Sequence, residues 1–560
     1  MRLLAMRQGI SRRLFRKSEL GWLVGLRGVT AFVALCGCSA PPHEKRGDSE
    51  RVFFVSSGLG RSELRLIFMT DWEGQLEPCG CTSKPLGGID RVAALIRRIK
   101  SEGTPTLFFV AGNAFFGHVG HPADIALARA QMALKAQTLG EALMMIGPTA
   151  LLPGPADFSN PDFQELKAKL PFLRLFREIE KEAEGKSQSF RVGSEVLRIG
   201  KVLVGVVGLV AQDESSFQEL SAAFGTHLLR LKAEKAEITV GLFSAPKRLV
   251  RHLLNHVEGL DFALLGAQDE AAPSLPLRIA STWVFHAGRQ GQYLILVDLF
   301  GIDRKNMAWV DASNWSREGE RARLLERAKD LQSQIEAWEK EAKVSREDIE
   351  TQKGRLARLQ AQAEMLSRSQ SIEGKRAFSA QLFEISQHLP AEPTVQTLLE
   401  VHNRRVNDHN RLAFADWKPD PPPPGHPAYV GSTACAPCHE AAYKWWQLTP
   451  HGQAYSTLVK LHKEYSLDCV GCHVTGYREP GGSTLTHTGP LQNVGCESCH
   501  GPGGQHVDSP REAAFNVARE VPEEVCLRCH TPDHSDRFNY QIYRRVLIVP
   551  GHGLPLEGTH

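Results

Sequence analysis

The chain lacks two things that would narrow its class at once. It has no N-terminal apolar run long enough to cross a bilayer, and it has no basic surplus outside its first residues. The uncharged stretch 28–35 is bounded upstream by Arg27 and falls well short of the roughly 20 apolar residues that a spanning helix needs. Ahead of it stand Arg2, Arg7, Arg12, Arg13, Arg16, Lys17 and Arg27 against the single acid Glu19, so the formal net charge of +3 becomes −3 once residues 1–37 are set aside. A mildly acidic remainder gives no electrostatic footprint for nucleic acid. A basic stretch followed by a short apolar one reads as an export signal, here residues 1–37. The rest is globular in composition, 42% hydrophobic and 23% charged, and 560 residues exceed one ordinary core, so two or three domains are expected.

Leu35-Cys36-Gly37-Cys38 resembles the lipobox of bacterial lipoproteins. That resemblance implies acylation of Cys38 and a bacterial protein anchored to a membrane, in the periplasm or at the cell surface, with 38–60 as a linker. Ser11-Arg12-Arg13-Leu14-Phe15-Arg16-Lys17 also looks like a twin-arginine signal, a string that any basic leader readily contains.

Apolar runs at 64–70, 106–111, 201–210, 238–244, 262–265 and 293–300 read as buried strands, and 91–102 and 125–145 between them as helices. The alternation predicts a layered α/β domain over 61–312. Residues 313–415 change character. Leu324, Leu331, Ile335 and Trp338, then Leu356, Leu359, Ala363 and Leu366, recur at helical spacing among charges, with Ser345-x-x-Asp348 as a capping box between them. This predicts a coiled-coil-like antiparallel helical hairpin and a further helix after Pro393. The region reads as a surface spacer and as the candidate contact in a homo-oligomer. Pro421 to Pro424, within 416–427, predict an extended linker.

No cysteine beyond that linker is left over. All eight fall into Cys435-x-x-Cys438-His439, Cys469-x-x-Cys472-His473, Cys496-x-x-Cys499-His500 and Cys526-x-x-Cys529-His530. This is the attachment pattern of c-type haem: two thiols add across the two vinyl groups and the adjacent imidazole reaches the iron. Zinc would use paired thiolates without requiring a histidine four times, and two-residue loops are poor disulfide staples. Four haem c groups are therefore expected in 428–560, a mainly α and irregular domain too small to build a large core of its own. Seven other histidines lie there as second iron ligands or surface side chains: His451, His462, His487, His506, His534, His552 and His560. Histidine on both faces suits electron transfer, whereas an open face admits a small molecule.

Tyr429-Val430-Gly431-Ser432, Thr449-Pro450-His451, Gly495-Cys496-Glu497-Ser498-Cys499-His500-Gly501-Pro502-Gly503 with His506, and Phe538-Asn539-Tyr540 resemble the tetrahaem cytochrome c-554 family. The resemblance implies that His451 and His506 are distal ligands to haems other than their sequence neighbours. It makes His552 a third candidate and leaves one haem as a five-coordinate candidate.

Thr70-Asp71-Trp72-Glu73-Gly74-Gln75-Leu76-Glu77-Pro78 and Gly87-Gly88-Ile89-Asp90-Arg91 resemble the start of bacterial 5′-nucleotidases, which are metallophosphoesterases, and later landmarks follow in order over about 64–300. Two-metal hydrolysis needs carboxylates, an asparagine and histidines aimed at both ions. Here Asp-x-His is replaced by Asp71-Trp72-Glu73 and Gly-Asp by Gly112-Asn113. Gly-Asn-His gives way to Gly154-Pro155-Ala156, the fourth-segment histidine to Ala245, and Gly-His-x-His to Gly266-Ala267-Gln268-Asp269. Asp71, Glu73 and Asn113 mark a degenerate metal cleft. The resemblance thus implies a phosphoesterase-like α/β sandwich kept as scaffold or binding surface. Cys79-Gly80-Cys81 beside it is a candidate disulfide or redox pair, with His118 and His121 as further candidates for the same site.

Taken together these features predict an exported electron carrier that serves redox partner proteins and binds no nucleic acid. The alternatives are a haem enzyme acting on a small nitrogen or sulfur compound at a five-coordinate iron, and a residual metal-dependent phosphoesterase.

Overall fold

Residues 64–70 are buried without exception, as a strand must be when both faces of its sheet are covered. This strand organises a computed structural model that describes residues 60–547 except 79–81, 118–124, 184–189, 214–215, 269, 271, 305–306, 342–344, 367–371, 513–516 and 533. The export signal, Cys38, Cys79, Cys81, His118, His121 and His552 lie outside the described residues.

The strands are β1 (Leu64–Thr70), β2 (Thr106–Gly112), β3 (Ala150–Pro153), β4 (Phe190–Ile199), β5 (Val202–Ala211), β6 (Ile238–Ser244), β7 (Phe262–Gly266), β8 (Ser274–Ile279), β9 (Thr282–His286), β10 (Tyr293–Phe300), β11 (Trp309–Asp311) and β12 (Arg376–Glu384). All six expected strands are present, displaced by at most one residue at either end. They form two six-stranded sheets, ordered β11-β12-β10-β1-β2-β3 and β4-β5-β6-β7-β9-β8. Parallel neighbours need crossovers; α1 (Ile89–Ser101) and α2 (Ile125–Ile146) supply them in the first sheet and α6 (Phe217–Ala233) and α7 (Lys247–Leu254) in the second, while α3 (Pro155–Ser159), α4 (Pro161–Lys167) and α5 (Arg174–Ala183) carry the chain from one sheet to the other. The sheets stack face to face through aromatic rings, with Phe68 5.3 Å from Phe285 and Phe378 5.6 and 5.9 Å from Phe262 and Phe285. The second sheet's outer face is closed by Leu220, Phe224, Leu249 and Leu253 of α6 and α7.

Beyond residue 312 the structure departs from the expected order. The hairpin exists as α8 (Asn314–Glu341) and α9 (Arg346–Leu366). It is antiparallel, since Arg317 donates to Leu366 O and Lys353 pairs with Glu339. Its seam is Leu331, Ile335 and Ile349 with Trp338, Leu356 and Leu359, and Ser345 caps Asp348 N at 3.1 Å. It is an insertion, however, rather than a following spacer. β12 returns into the first sheet and pairs antiparallel with β10 from Tyr293↔Glu384 to Phe300↔Ala377. Its short alternating pattern around Phe378, Ala380 and Leu382 is masked by the charged helices on either side. The helix after Pro393 is α10 (Pro393–Ala413), with proline in its first turn. It buries Val395, Leu399, His402, Val406 and Asn410 and packs on α1 and α2. The sheet domain therefore runs to about residue 413.

The remainder is built from α11 (Glu440–Leu448), α12 (Ala454–Lys460), α13 (Val470–His473), α14 (Cys496–His500), α15 (Gly504–Asp508), α16 (Glu523–Leu527) and α17 (Tyr540–Leu547). Its apolar cluster is small: Tyr455, Val470, Val474 and Leu485, flanked by Phe414, Trp417 and Tyr477. The proline-rich segment is tied down rather than free, because Thr484 Oγ1 donates to Trp417 O and Gly481 N to Asp420 O. No helix among the described residues is long and apolar enough to cross a membrane.

Phe378 touches Phe262, Trp283 and Phe285 across the sandwich. Phe378→Ala is expected to lower the unfolding free energy of the sheet domain by about 3–5 kcal/mol. Chemical denaturation followed by circular dichroism measures it, and a loss below about 1 kcal/mol contradicts β12 as a core strand.

Candidate functional site

A helical turn places residues i, i+3 and i+4 on one face. Each of the four motifs is such a turn. His439 N and His530 N bond to Cys435 O and Cys526 O, both at 2.9 Å, and 470–473 and 496–500 are helical outright as α13 and α14. Two thiols and an imidazole therefore share one side at each motif. None of the eight cysteines is in a disulfide.

The histidines are held by one nitrogen. His473 Nδ1 lies 2.6 Å from Ala454 O and His500 Nδ1 2.6 Å from Ala518 O. A carbonyl only accepts, so Nδ1 carries the proton and Nε2 keeps the lone pair that a metal needs. His530 Nδ1 lies 3.0 Å from Ser535 Oγ, and Phe538 stacks on its ring at 4.6 Å.

The motifs are brought together in pairs. The thiols of Cys435 and Cys496 share a hydrogen bond, which pushes the Cys435 thiol up and brings Cys496 down to about 6. Cys529 is lowered by its bond to Cys472. His451, in a 3-10 turn after α11, has its ring 6.2 Å from that of His530, and burial lowers its pKa. Imidazole nitrogen binds a first-row metal at about 2 Å, so two rings on opposite sides of one ion have centres roughly 6 Å apart. His506, on α15, has a buried Nδ1 with no hydrogen-bond partner, an orphaned nitrogen of the kind a metal ligand would satisfy. His487 and His534 contact Thr486 and Thr531 through Nδ1. With paired thiols on each turn and His473 and His500 primed at Nε2, the donor set fits covalently held haem.

Glu497, inside the third motif, is a site residue that spacing alone does not reveal. It is 4% exposed, and its carboxylate accepts from Val430 N, Gly431 N and Gly503 N at 2.7–3.2 Å. It staples the start of the domain to the third turn.

The strand-end cleft of the sheet domain is closed by its own backbone. Asp71, Asn113 and Gly154 stand at the ends of β1, β2 and β3, with Ala267 after β7. Asp71 Oδ1 accepts from Asn113 N at 2.9 Å and Ala267 N at 2.8 Å. Asn113 Oδ1 accepts from Ala156 N at 3.0 Å. Glu73 is engaged by Arg289 through two bonds of 2.7 and 2.8 Å. Gly112, at φ 97, has no room for a side chain, since a Cβ there would lie 2.1 Å from Asp71 Oδ1. Asp157 receives the amides of Ala114, Phe115, Phe116 and Gly154, an anchoring role that its position in the sequence does not reveal. Among the described residues no group of three or more His, Cys, Asp or Glu side chains is placed to hold a metal ion.

Burial drives the Asp71 carboxyl up to about 7, and Glu73 adds to the rise; burial also raises Asp157 to about 6. A carboxyl with a native pKa above its unfolded value binds more protons when folded, so its contribution to stability falls as pH rises through that window. The melting temperature of the sheet domain is expected to decline between about pH 4 and 7, and Asp71→Asn should flatten part of that decline. A pH series of thermal melts decides it; an unchanged slope in the variant contradicts the assignment.

Residues 434–501 match the family described as cytochrome c554 and c-prime. Over 134 aligned residues the chain is 35% identical to cytochrome c-554 of Nitrosomonas europaea, an alignment covering 18% of this chain and 57% of that protein. The chain thus spans little more than half the length of this curated relative. Among solved structures, the sulfate thiohydrolase SoxB of Thermus thermophilus is 16% identical with a TM-score of 0.37, covering 62% of each chain. A 5′-nucleotidase precursor from the same organism is 14% identical with a TM-score of 0.38, covering 61% of this chain and 59% of that one. The four thiol–imidazole turns and the match at 434–501 point the same way: the C-terminal part of this chain is similar to multihaem c-type cytochromes of the cytochrome c-554 kind.

Proposed function

We propose that the protein is an exported, lipid-anchored cytochrome that moves electrons between redox partner proteins through four haems, with the sheet domain as a non-catalytic support. The carrying observation is the repetition of one turn four times, with Nδ1 of His473 and His500 held by carbonyls. Haem supplies one-electron chemistry when bound. The chain's residues fix its surroundings. Eight thiols would hold the groups, His439, His473, His500 and His530 would give the proximal nitrogens, and His451 and His506 would close second faces. The 6.2 Å spacing favours His451 opposite His530, a motif distant in sequence. Acylation at Cys38 would tether the chain at the periplasmic or outer surface.

A second reading is a haem enzyme acting on a small nitrogen or sulfur compound at a five-coordinate iron. It is favoured by the count of three candidate distal histidines, His552 included, for four motifs. The phosphoesterase reading draws least support, because backbone amides hold one Asp71 oxygen, Arg289 holds Glu73, and among the described residues no group of three or more His, Cys, Asp or Glu side chains is placed to hold a metal ion.

Titration of oxidised protein with cyanide and of reduced protein with nitric oxide, followed by absorbance, separates the two haem readings. The carrier reading takes the remaining second faces to be closed by other histidines of the segment, so it expects no stoichiometric binding in the wild type and one new binding site in His451→Ala. Tight binding to one haem of the wild type would overturn it in favour of the enzyme.

A further inference from the structure

The second attachment turn is held by the sheet domain. Gln131 of α2 and Asn410 of α10 are 2% and 1% exposed and bond to each other at 2.8 Å. Gln131 Oε1 also accepts from Leu467 N at 3.0 Å, and Asn410 Nδ2 donates to Tyr465 O at 2.8 Å. Asn407 Oδ1 takes Tyr465 N at 2.9 Å. The backbone leading to Cys469 is thus fixed by side chains of a different domain. Next to it Lys135 Nζ meets Asp468 Oδ2 at 2.5 Å, and Lys463 meets Glu77 at 2.6 Å. Two cations face two carboxylates. His402, bonded to Thr138, adds no charge at neutral pH, because burial and Lys135 lower it to about 4.

We propose that the α2–α10 face is the seat of the second haem turn, with Gln131, Asn410 and Lys135 as positioning residues that fix residues 469–473 and set the electron affinity of the haem they carry. The inference rests on the electron-carrier reading and gives the sheet domain a defined task within it. A positive charge beside the iron favours the reduced form, so Lys135 raises the reduction potential of this haem and Asp468 opposes it. Both charges being met within the pair, removing one exposes the other.

The experiment is a spectroelectrochemical titration of the full chain, resolved into its haem components, with haem content checked first by intact mass. Lys135→Met should lower one component by a threefold or larger change in its oxidised-to-reduced ratio, about 30 mV at 59 mV per tenfold. Asp468→Asn should raise the same component. The double variant should return towards wild type, and Lys135→Arg should leave it in place. Asp468 is half exposed, at 51%, so its variant reads the coupling even where Lys135→Met fails to fold. Four components that ignore both single substitutions in a fully loaded chain overturn this inference alone, as does an equal shift of all four. A wild-type chain with fewer than four haems overturns the carrier reading and this inference with it.

Discussion

A segment of about 130 residues cut into helices of four to nine residues cannot hold itself together by side-chain burial, because small units bury too little apolar surface to offset chain entropy. The cluster around Val470 and Leu485 is the only one found there among the described residues. Covalent attachment of haem at the four Cys-x-x-Cys-His turns, as proposed above, would answer part of this constraint. The rest is met by contacts outside the segment. Glu497 gathers three backbone amides within it, and the α2–α10 face holds its second turn. Each buried polar group in these contacts has a partner, as burial away from water demands. The sheet domain is thereby joined to the C-terminal part through hydrogen bonds and ion pairs, with Phe414 at the end of α10 packed on its apolar cluster.

The same constraint makes sense of the closed cleft. Strand ends in open α/β sheets gather loops around a shared crevice, and here the crevice is spanned by hydrogen bonds to Asp71, Asn113 and Asp157. These side chains now tie β1, β2, β3 and the loop after β7 to one another. Positive φ values at Asp71, Glu73 and Ala267 are strained for such residues and persist because several backbone bonds converge on them. A cleft locked in this way is suited to the supporting role proposed for the sheet domain.

Much of this was legible in the residues. The strands announced themselves as uninterrupted apolar runs, the hairpin by its spacing and Ser345, and the four Cys-x-x-Cys-His turns by cysteine spacing that leaves nothing over beyond the proline-rich segment. What stayed hidden depends on pairing across long separations. β12 is nine residues between charged helices, and its place beside β10 follows from sheet register rather than from local pattern. Gln131, Lys135 and Asn410 look like ordinary polar residues of amphipathic helices until α2 and α10 meet residues 465–468. Asp157 and Glu497 sit inside familiar motifs, yet their work is to receive backbone amides, which no spacing encodes.

The central claim is that every one of the four turns carries a haem. Alkaline pyridine haemochrome absorbance against amino-acid quantitation, on protein matured in a host that attaches c-type haem, gives the ratio directly. The account predicts four haems per chain, retained after denaturation because the bonds are thioethers. Three or fewer, or haem lost on denaturation, would contradict it.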